Sequence, residues 1–512
     1  MAQKVNGLLL IGILILIAVP FLAGWYLQGE QHVFGGFILN PIDGNSYLAK
    51  MQTGMRGEWQ FHLPYTATQG DGAFLFLFYT VLGHFARLMH LDPILIFHAA
   101  RAFSSMFLVI SLSRFLHLSL GEVHRSVFNR ILILMIFGSG MGWLAAFAGG
   151  FTMDFWVAEA YPFLSMLANP HFPLGLAILV QYLSDLQQEK PGLPWVQGIA
   201  GALLAVILPF GVVVGGAITL CVLVIRFAVW KKISWRLPVL FFIPAGGILV
   251  YQYLAVLNNP LLAIWNRQNQ TPSPPLWDIM ISLAPGILLA IIGLYWWAKK
   301  KRQENLVVAA AWLIVGVVLA YIPFALQRRF LLGVYVPVAI FAGVGLISLV
   351  GQNIRRYRRL FWLVFLPSIL TNLFILMGGF QAAVQHEQML FQRLDQRMAL
   401  GWLNEQACSN RAVVLANPTM GLLIPAHTHC RVIYGHPFET VDATFRVEEI
   451  NQIFSGNVHD SQLSAFIEKW DVRYILVDSI ADRLALNDSA RAGLDMVYEN
   501  NTVRIFRVEA LP

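Results

Sequence analysis

The run GLLLIGILILIAVPFLAGWYL, residues 7–27, decides the fold class of this chain. It contains no charged residue, and a helix of about 20 apolar residues is long enough to cross the hydrocarbon core of a bilayer. The run is too long for the apolar part of a removable signal peptide, and no clear small-residue cleavage site follows it. We therefore interpret it as an uncleaved anchor helix and predict a membrane protein.

Ten more apolar runs follow the anchor. They lie at residues 93–118, 127–149, 172–186, 195–209, 210–230, 237–257, 278–298, 305–325, 330–350 and 360–380. Pro209 has no amide hydrogen to donate inside a helix, so we divide the stretch 195–230 there into two short spans. With the anchor, the pattern predicts a polytopic α-helical membrane protein of about eleven transmembrane helices.

Segment 73–91 leaves the topology open. Thr80, His84 and Arg87 recur at helical spacing along one side of it, which favours an amphipathic helix lying at the membrane interface. If the segment crossed the membrane instead, the chain would have twelve spans and an outer N-terminus. Counting Lys and Arg in the loops does not separate the two arrangements. Both place the C-terminal residues outside.

Composition excludes an ordinary soluble enzyme and a nucleic-acid partner. Charged residues make up 12% of the chain and hydrophobic residues 57%, whereas soluble domains carry about 25% charged residues. The net charge is +7, of which residues 1–380 contribute +12 and residues 381–512 contribute −5. Positive charge confined to short loops between apolar runs is typical of cytoplasmic loops rather than of a polyanion-binding face.

After residue 380 the sequence changes to mixed polar and apolar, and about 130 residues are enough for one α/β domain. Strand-like runs lie at 411–416, 431–434 and 472–477, helical patterns at 447–454 and 462–470, and a hairpin over 494–508 that turns at 499–501. We predict a transmembrane module over 1–380 and a soluble exoplasmic α/β domain over 381–512. Cys408 and Cys430 each precede a strand, so a disulfide and two buried thiols both remain open.

The carboxylate of Asp43 is conspicuous because acidic residues are scarce before residue 380. It lies in NPIDGNSYLAK, residues 40–50, about a dozen residues beyond the anchor. Asp before Gly-Asn-Ser is a typical helix N-cap. From the residues alone, a cap for a helix over Tyr47–Met55 is the simpler interpretation.

The order of helices and loops along the chain gives a second interpretation of Asp43. An anchor helix is followed by an outer loop with Asp43 and, four positions on, Tyr47, then by an interfacial helix, a second span entered by Arg101, an acidic second outer loop and an α/β tail. This order resembles the GT-C glycosyltransferases, polytopic enzymes that use polyprenyl-phosphate-linked sugars, such as protein mannosyltransferases and aminoarabinose transferases. The segment 43–47 lacks the second acidic neighbour that many members have. The resemblance implies eleven spans, a cytoplasmic N-terminus at the plasma membrane, and catalytic outer loops at 28–92 and 150–171.

On this resemblance Asp43 corresponds to the first-loop carboxylate, with Tyr47 beside the substrate. A carboxylate within hydrogen-bond reach can accept the proton of a sugar hydroxyl that attacks the anomeric carbon. Glu159 would be a second catalytic acid on the opposite wall, with Asp154 beside it, positioning the acceptor or a divalent cation. Solvation and helix capping are the alternative roles of both acids. The residues specify no other cofactor.

A lipid-phosphate leaving group needs fixed positive charge. Arg101 lies in the outer half of the second span, where an arginine is costly unless it faces a polar cavity or partner. Gln327-Arg328-Arg329 forms a short outer link between two spans, and outer arginine pairs run against the positive-inside trend. We expect these residues to bind the donor phosphate, with snorkelling helix anchors as the alternative. His171, in NPHFP at residues 169–173, is a further candidate ligand in what is otherwise a structural turn.

The tail contains a histidine cluster, His427 and His429 followed by His436 and Glu439. Such a set could bind zinc, but its spacing is not diagnostic and hydrogen-bonded loop histidines are commoner. We expect instead that the loop carrying His436 and Glu439 caps the membrane cavity and meets the acceptor.

The sequence thus predicts a membrane glycosyltransferase. Sugar would pass, with inversion, from a polyprenyl-phosphate donor to a hydroxyl of an unidentified glycan, lipid or protein acceptor on the outer face. A transporter or lipid flippase, and a non-catalytic envelope assembly protein, are the alternatives. The glycosyltransferase hypothesis requires that Asp43 and Arg328 border one cavity.

Overall fold

The computed structural model describes residues 7–68, 70–188, 193–299, 303–351, 353–408, 411–455, 460–478, 482 and 494–508. The first ten helices are α1 (Gly7–Leu27), α2 (Pro41–Met55), α3 (Leu77–Met89), α4 (Pro93–Leu120), α5 (Arg125–Phe137), α6 (Gly142–Ala146), α7 (Pro162–Ala168), α8 (His171–Gln188), α9 (Pro194–Ile207) and α10 (Pro209–Trp230). The others are α11 (Arg236–Asn258), α12 (Pro260–Gln268), α13 (Leu276–Leu283), α14 (Gly286–Lys299), α15 (Val307–Leu319), α16 (Tyr335–Val350), α17 (Ile354–Val384), α18 (Leu394–Gln406), α19 (Pro418–His427), α20 (Ala443–Phe454) and α21 (Asp460–Lys469).

The strands are short and few by comparison. They are β1 (His32–Phe34), β2 (Phe391–Arg393), β3 (Val413–Leu415), β4 (Arg431–Val432), β5 (Val472–Asp478), β6 (Leu494–Glu499) and β7 (Val503–Val508). Helices therefore dominate the fold, as the apolar runs predict.

Within the described residues, seven helices are long and apolar enough to cross a membrane, and α13 with α14 makes an eighth candidate bent by 88°. Two shorter apolar helices lie at Pro194–Ile207 and Glu304–Leu319. Each of the eleven predicted runs is helical over most of its length, and α9 and α10 are divided at Pro209 as predicted. The chain is a polytopic helical membrane protein, and the number eleven stays a prediction.

The chain divides into two compact units. The first, the helical unit, comprises Met1–Pro20, His98–Tyr251 and Thr271–Gly379, and the second, the mixed unit, comprises Phe21–Phe97, Gln252–Gln270 and Phe380–Pro512. The outer-loop helices α2 and α3 thus belong with the C-terminal residues. The predicted boundary between two domains at residue 381 stays a prediction. Each compact unit combines stretches from both sides of other chain positions, so the units do not test that boundary.

Small residues let helices approach closely inside the helical unit. α14 and α16 pack so tightly that a Cβ atom on Gly293 or Gly345 would overlap the backbone of the opposite helix. Such contacts are common between membrane helices, where packing rather than hydrophobic transfer drives association. In the most apolar 18-residue window of Gln327–Val350, which contains α16, 94% of the residues are buried, a larger share than in the other candidate spans.

The mixed unit is built on a five-stranded sheet of order β4-β3-β5-β7-β6, in which β3 pairs in parallel with β4 and β5. The remaining pairs are antiparallel, and the β6–β7 hairpin turns where the sequence predicts. Helices α20 and α21 cover one face, while α18 and α19 cover the other. Cys408 and Cys430 form a disulfide in that second layer, which settles the alternative left open above.

Loop 28–92, the predicted first outer loop, joins the C-terminal residues through several contacts, two of which involve whole strands or helices. β1 pairs antiparallel with β2, with His32 opposite Arg393. α2 packs on α3 and α19, and a Cβ on Gly54 or Gly83 would overlap the backbone of the neighbouring helix. α3 is 13 residues long, too short to cross the membrane by itself, and exposes Phe85, Leu88 and Met89. This agrees with the interfacial helix predicted for 73–91.

Candidate active site

Asp43 lies in the first turn of α2 rather than before it. The helix begins at Pro41, six residues earlier than expected, because proline is well suited to the first helical position. Its preceding residue Asn40 adopts the left-handed conformation, and the Asn40 side chain donates to Asp43 Oδ2 at 2.5 Å. The N-cap role is therefore wrong. A first-turn carboxylate is stabilised by the positive end of the helix dipole.

His436 faces the other oxygen of Asp43. Its Nε2 atom lies 3.4 Å from Asp43 Oδ1, and its Nδ1 atom accepts hydrogen bonds from the backbone amides of Phe438 and Glu439 at 3.1 and 3.2 Å. A nitrogen that accepts two N–H groups carries no proton, so we assign the ring proton to Nε2, which lies beside the carboxylate without hydrogen-bond geometry to any described residue. His436 is buried, whereas the Asp43 side chain is 35% exposed.

A buried ion pair fixes the same loop to α2. Lys50 Nζ lies 2.8 Å from Glu439 Oε1 and 2.6 Å from Ser46 Oγ, and the lysine is 1% exposed. The ammonium also stands 4.5 Å from the centre of the Phe76 ring, a cation–π distance. Lys50 was missed by sequence analysis. Its spacing of seven residues from Asp43 on one helix face was the signal that could have found it.

Tyr47 lies beside these residues in a stacked aromatic pair. Its ring is 4.5 Å from that of Tyr79 with 11° between the planes, and Lys50 Nζ is 5.2 Å from its centre. The structure thus brings together four predicted residues of the mixed unit: Asp43, Tyr47, His436 and Glu439. Their roles as base or substrate ligands stay predictions.

In the helical unit, Glu159 is held between the paired arginines. Its Oε1 atom lies 3.8 Å from Arg328 Nε and 3.3 Å from Arg329 Nη1, and its side chain is 3% exposed. Arg328 stacks on Trp156 at 4.5 Å. Two guanidinium groups share one carboxylate here, so the cluster keeps a net positive charge. The sequence predicts these three residues as candidates, but with separate roles: Glu159 beside the acceptor or a cation, and the two arginines at the donor phosphate.

Gln327 and His171 also lie in the helical unit, and their side chains contact backbone and aromatic groups. The Gln327 amide donates to Ile322 O at 2.8 Å, and its oxygen accepts from the Ser273 amide at 3.4 Å. The His171 ring is 4.1 Å from that of Phe172, over which Arg329 also lies, at 5.9 Å. Both side chains support the backbone or aromatic groups next to the arginine pair.

Asp154 is enclosed by donors. Its carboxylate accepts from the Gly142 amide and from the hydroxyls of Thr152, Thr371 and Ser282 at 2.7–3.1 Å, and the residue is 0% exposed. Burial raises the pKa of this carboxyl, and the four hydrogen bonds oppose the rise. Ser282 Oγ lies 2.9 Å from Asp278 Oδ1 as well, so its single proton is shared between the two acids, and the Asp278 carboxylate accepts from the Met153 amide. The two acids together pin the second outer loop.

Arg101 contacts backbone carbonyls instead of an open surface. Its Nη1 atom donates to the carbonyls of Ile17 and Met166, both at 3.1 Å, and its Nε to His98 at 3.2 Å. The Met166 carbonyl belongs to the last turn of α7, whose partial negative charge attracts a cation. Arg101 is 3% exposed. Its predicted role in phosphate binding stays a prediction.

The histidines of the C-terminal residues do not form one cluster, because each contacts a different set of side chains. His427 contacts Arg397 and Gln392, and burial, followed by the charge of Arg397, lowers its pKa well below the ordinary value. Burial lowers the pKa of His429 to about 4, with a further contribution from Arg56. Among the residues that the structure describes, no group of three His, Cys, Asp or Glu side chains is arranged to bind a metal ion.

Comparison with known proteins gives no match in sequence. No protein-family model matches the chain, and no curated protein is significantly similar to it. Function therefore has to be argued from fold and site.

Solved structures do match the fold. The Archaeoglobus fulgidus oligosaccharyltransferase tethered with an acceptor peptide is 12% identical, with a TM-score of 0.52 over 98% of this chain and 74% of that chain. AglB of the same organism, in complex with an inhibitory peptide and a dolichol-phosphate, is 13% identical with the same TM-score over 98% and 75%. Mycobacterial arabinofuranosyltransferase AftD is 13% identical, TM-score 0.52, over 100% of this chain and 40% of that chain. The chain therefore has the fold of the GT-C glycosyltransferases, as the order of its parts predicts.

Proposed function

We propose that this protein is a membrane glycosyltransferase that moves a sugar from a polyprenyl-phosphate-linked donor to an acceptor hydroxyl on the outer face of the membrane. The observation that carries the proposal is the partly exposed Asp43 carboxylate, which accepts a hydrogen bond from Asn40 at one oxygen and lies 3.4 Å from His436 Nε2 at the other. The dolichol-phosphate complex of AglB supports the donor class. Asp43 is the catalytic base.

The reaction is a single displacement. The acceptor oxygen forms a bond to the anomeric carbon, its proton passes to an Asp43 oxygen, and the bond between that carbon and the phosphate oxygen breaks. The electron pair of the broken bond leaves with the polyprenyl phosphate, and the configuration at the anomeric carbon inverts. His436 supports this step because its Nε2 lies 3.4 Å from Oδ1, close enough for the contact to tighten into a hydrogen bond to the carboxylate when the acceptor binds.

Arg328 and Arg329 bind the phosphate of the donor. Their net positive charge beside one carboxylate suits the dianion that forms as the sugar leaves. Glu159 orients the two guanidinium groups, which is a more specific role than lining a wall. Trp156 limits the motion of Arg328 by stacking on it. A charged pair held in this way loses less conformational entropy when the lipid arrives.

The remaining predicted residues have positioning roles in this proposal. Asp154 fixes the second outer loop through its four hydrogen bonds, and Arg101 ties α4 to the end of α7. Gln327 supports the backbone next to the arginine pair, and His171 packs on the Phe172 ring over which Arg329 lies. Tyr47 and Glu439 shape the surroundings of Asp43, where the acceptor binds.

A divalent metal does not fit Glu159 or Asp154 as they stand. Glu159 faces two guanidinium groups and Asp154 faces hydroxyls and an amide, so these two acids are matched with donors rather than with other ligands of a cation. The A. fulgidus oligosaccharyltransferase has been crystallised with zinc and sulfate. We derive no step of the proposed reaction through a metal.

The disulfide supports the proposed orientation. Disulfides persist in oxidising compartments, so Cys408–Cys430 favours a C-terminal region on the exoplasmic side of the plasma membrane. With eleven spans the N-terminus then lies in the cytoplasm.

The test uses the purified full chain in sealed proteoliposomes. Polyprenyl phosphate carrying a labelled sugar is supplied with an envelope extract as acceptor, in parallel with the same sugar linked to a nucleotide. We expect label in the acceptor and release of polyprenyl phosphate from the lipid-linked donor only, and nuclear magnetic resonance of the product should show an inverted anomeric configuration. Movement of labelled lipid across the bilayer without transfer would make the protein a flippase. Neither transfer nor movement would favour an assembly role.

A further inference from the structure

A cavity of about 250 Å³ lies in the mixed unit. Four parts of that unit line it: the end of α1 with Trp25 and Gln28, the strand β1, the start of α4 with Asp92, and the C-terminal residues Gln392, Arg397 and His427. Ligand pockets for drug-sized molecules run from roughly 300 to 1,000 Å³, so this cavity suits a smaller ligand. Asp43 and His436 do not line it.

The Gln392 side chain borders the cavity and is incompletely satisfied. The residue is 4% exposed, its Nε2 atom lies 2.8 Å from His427 Nε2, and its Oε1 atom is buried without a hydrogen-bond partner among the described residues. Arg397 can only donate, so His427 Nδ1 accepts from it at 2.5 Å and the ring proton is on Nε2. The amide oxygen of Gln392 accepts that proton if the amide is flipped, and its NH₂ group is then the part without a partner. Either orientation leaves half of a buried amide for a ligand to satisfy.

The charges at the cavity are balanced. Arg397 Nη2 lies 4.0 Å from Asp92 Oδ2, and the two side chains are 35% and 46% exposed. His427 is neutral, because burial and Arg397 lower its pKa. One guanidinium and one carboxylate leave no excess charge for an anion such as a phosphate. The polar residues that line the cavity include both donors and acceptors, which suits a neutral molecule with several hydroxyls.

The other wall is aromatic. Trp25 lines the cavity and lies 5.5 Å from Phe34 in an edge-on contact, which limits the motion of the indole. An indole presents an apolar face with one N–H donor at its edge. Flat aromatic faces cover the C–H side of a sugar ring, while amides, a carboxylate and a guanidinium bind its hydroxyls.

We propose that this cavity binds one sugar ring of the acceptor, held by Gln392 and Arg397 on its hydroxyl edge and by Trp25 on its apolar face. This inference rests on the proposed function, because it takes the acceptor to be a glycan. The cavity would select acceptors by a sugar unit other than the one that carries the attacking hydroxyl.

The experiment measures binding with no donor present. Saturation-transfer difference NMR is recorded on the full chain in a zwitterionic detergent without a sugar headgroup. The probes are methyl glycosides of glucose, mannose, galactose and arabinose. We expect saturation transfer to at least one of them, reduced at least tenfold by Gln392→Leu and by Trp25→Ala. Gln452→Leu makes the same chemical change at an exposed position of α20 and should leave the signal intact.

Thermal unfolding of each variant shows whether it is folded. If Gln392→Leu does not fold, the binding result of Trp25→Ala tests the proposal. The proposal is overturned if no glycoside receives saturation, if both variants bind like the wild type, or if inorganic phosphate displaces the glycoside. Comparison of a free oligosaccharide with a glycolipid of the same sugar in nanodiscs then identifies the source of the ring. Transfer activity is measured separately. Glycoside binding without sugar transfer contradicts the proposed function. Sugar transfer without glycoside binding contradicts only the proposed site in the cavity.

Discussion

His436 directs its Nε2 atom at the Asp43 carboxylate from 3.4 Å, although 393 positions separate the two residues in the chain. Backbone amides of Phe438 and Glu439 hold the opposite side of the ring. The loop after β4 therefore does more than cover the first outer loop. It places the Nε2 side of the imidazole next to one oxygen of Asp43.

Replacement of Asp43 by asparagine should abolish most of the transfer. General-base catalysis contributes roughly 10²–10⁴-fold, so we expect kcat to fall by at least about 100-fold, because an amide cannot accept the proton. The KM for the lipid donor should change little. Asp71→Asn, an exposed acid in the same outer loop, is the matched control and should keep wild-type kcat. Transfer at a normal rate by Asp43→Asn would remove this residue from the chemistry.

His436 should act as a positioning residue, and two variants separate that role from simple packing. Glutamine places its amide N–H close to where Nε2 stands, so His436→Gln should keep a large part of kcat. His436→Ala should lower kcat by about tenfold, since it removes the donor and leaves Asp43 less well oriented. Donor KM should stay constant in both. Equal losses in the two variants would mean that the imidazole only fills space.

The arginine pair predicts the opposite kinetic pattern. Arg328→Gln and Arg329→Gln should each raise the KM for the lipid-linked donor by about tenfold or more, because a charge-assisted phosphate contact is worth roughly 1.5–3 kcal/mol. Glu159→Gln should give a smaller increase, since it releases the arginines without removing them. Arg355→Gln, at an exposed position of α17, should have no effect. An unchanged donor KM in both arginine variants would leave them as helix anchors.

Local patterns were enough to predict much of the fold. Apolar runs predicted the long helices, the missing amide of Pro209 predicted the boundary between α9 and α10, and the strand-like run at residues 472–477 predicted β5. These features depend on residues close together in the chain. The start of α2 was missed because asparagine and aspartate near a helix end fit either a cap or a first turn, and Pro41 at the first helical position, with Asn40 as the cap, favours the first turn for Asp43.

The candidate residues were predictable by type but their partners were not. An acid, two arginines and a histidine loop could be identified as chemically conspicuous. That Glu159 would hold Arg328, or that Lys50 would bind Glu439 in the interior, depends on pairs separated by 169 and 389 positions. Asp154 shows the limit most clearly, since nothing in its local sequence indicates that four donors enclose it.

The Cys408–Cys430 disulfide should contribute measurably to stability. Closing a loop over a separation of 22 residues is worth about 3 kcal/mol in the chain-entropy account. A Cys408→Ser/Cys430→Ser variant should therefore unfold at a lower temperature than the wild type, and reductant should lower the wild-type midpoint but not that of the variant. Cys221→Ser, which removes the free thiol of α10, is the control. A midpoint insensitive to both changes would contradict the prediction.

The buried pair of Lys50 and Glu439 should show strong coupling in a double-mutant cycle. Removing one member of a buried ion pair leaves an uncompensated charge, at a cost of about 3–5 kcal/mol. Lys50→Met and Glu439→Gln should each lower the unfolding midpoint clearly. The double variant should be less destabilised than the two effects added together, since neither charge then remains alone. Glu499→Gln, which breaks the half-exposed pair with Arg504, should change stability by less than about 1 kcal/mol. Glu439 lies two residues before Val441, which packs in an apolar cluster with Phe61 and Leu75 of the first outer loop. The ammonium of Lys50 therefore holds the loop that carries Glu439 against the first outer loop. Additive effects of the two single variants on the unfolding midpoint would contradict this role of the ion pair.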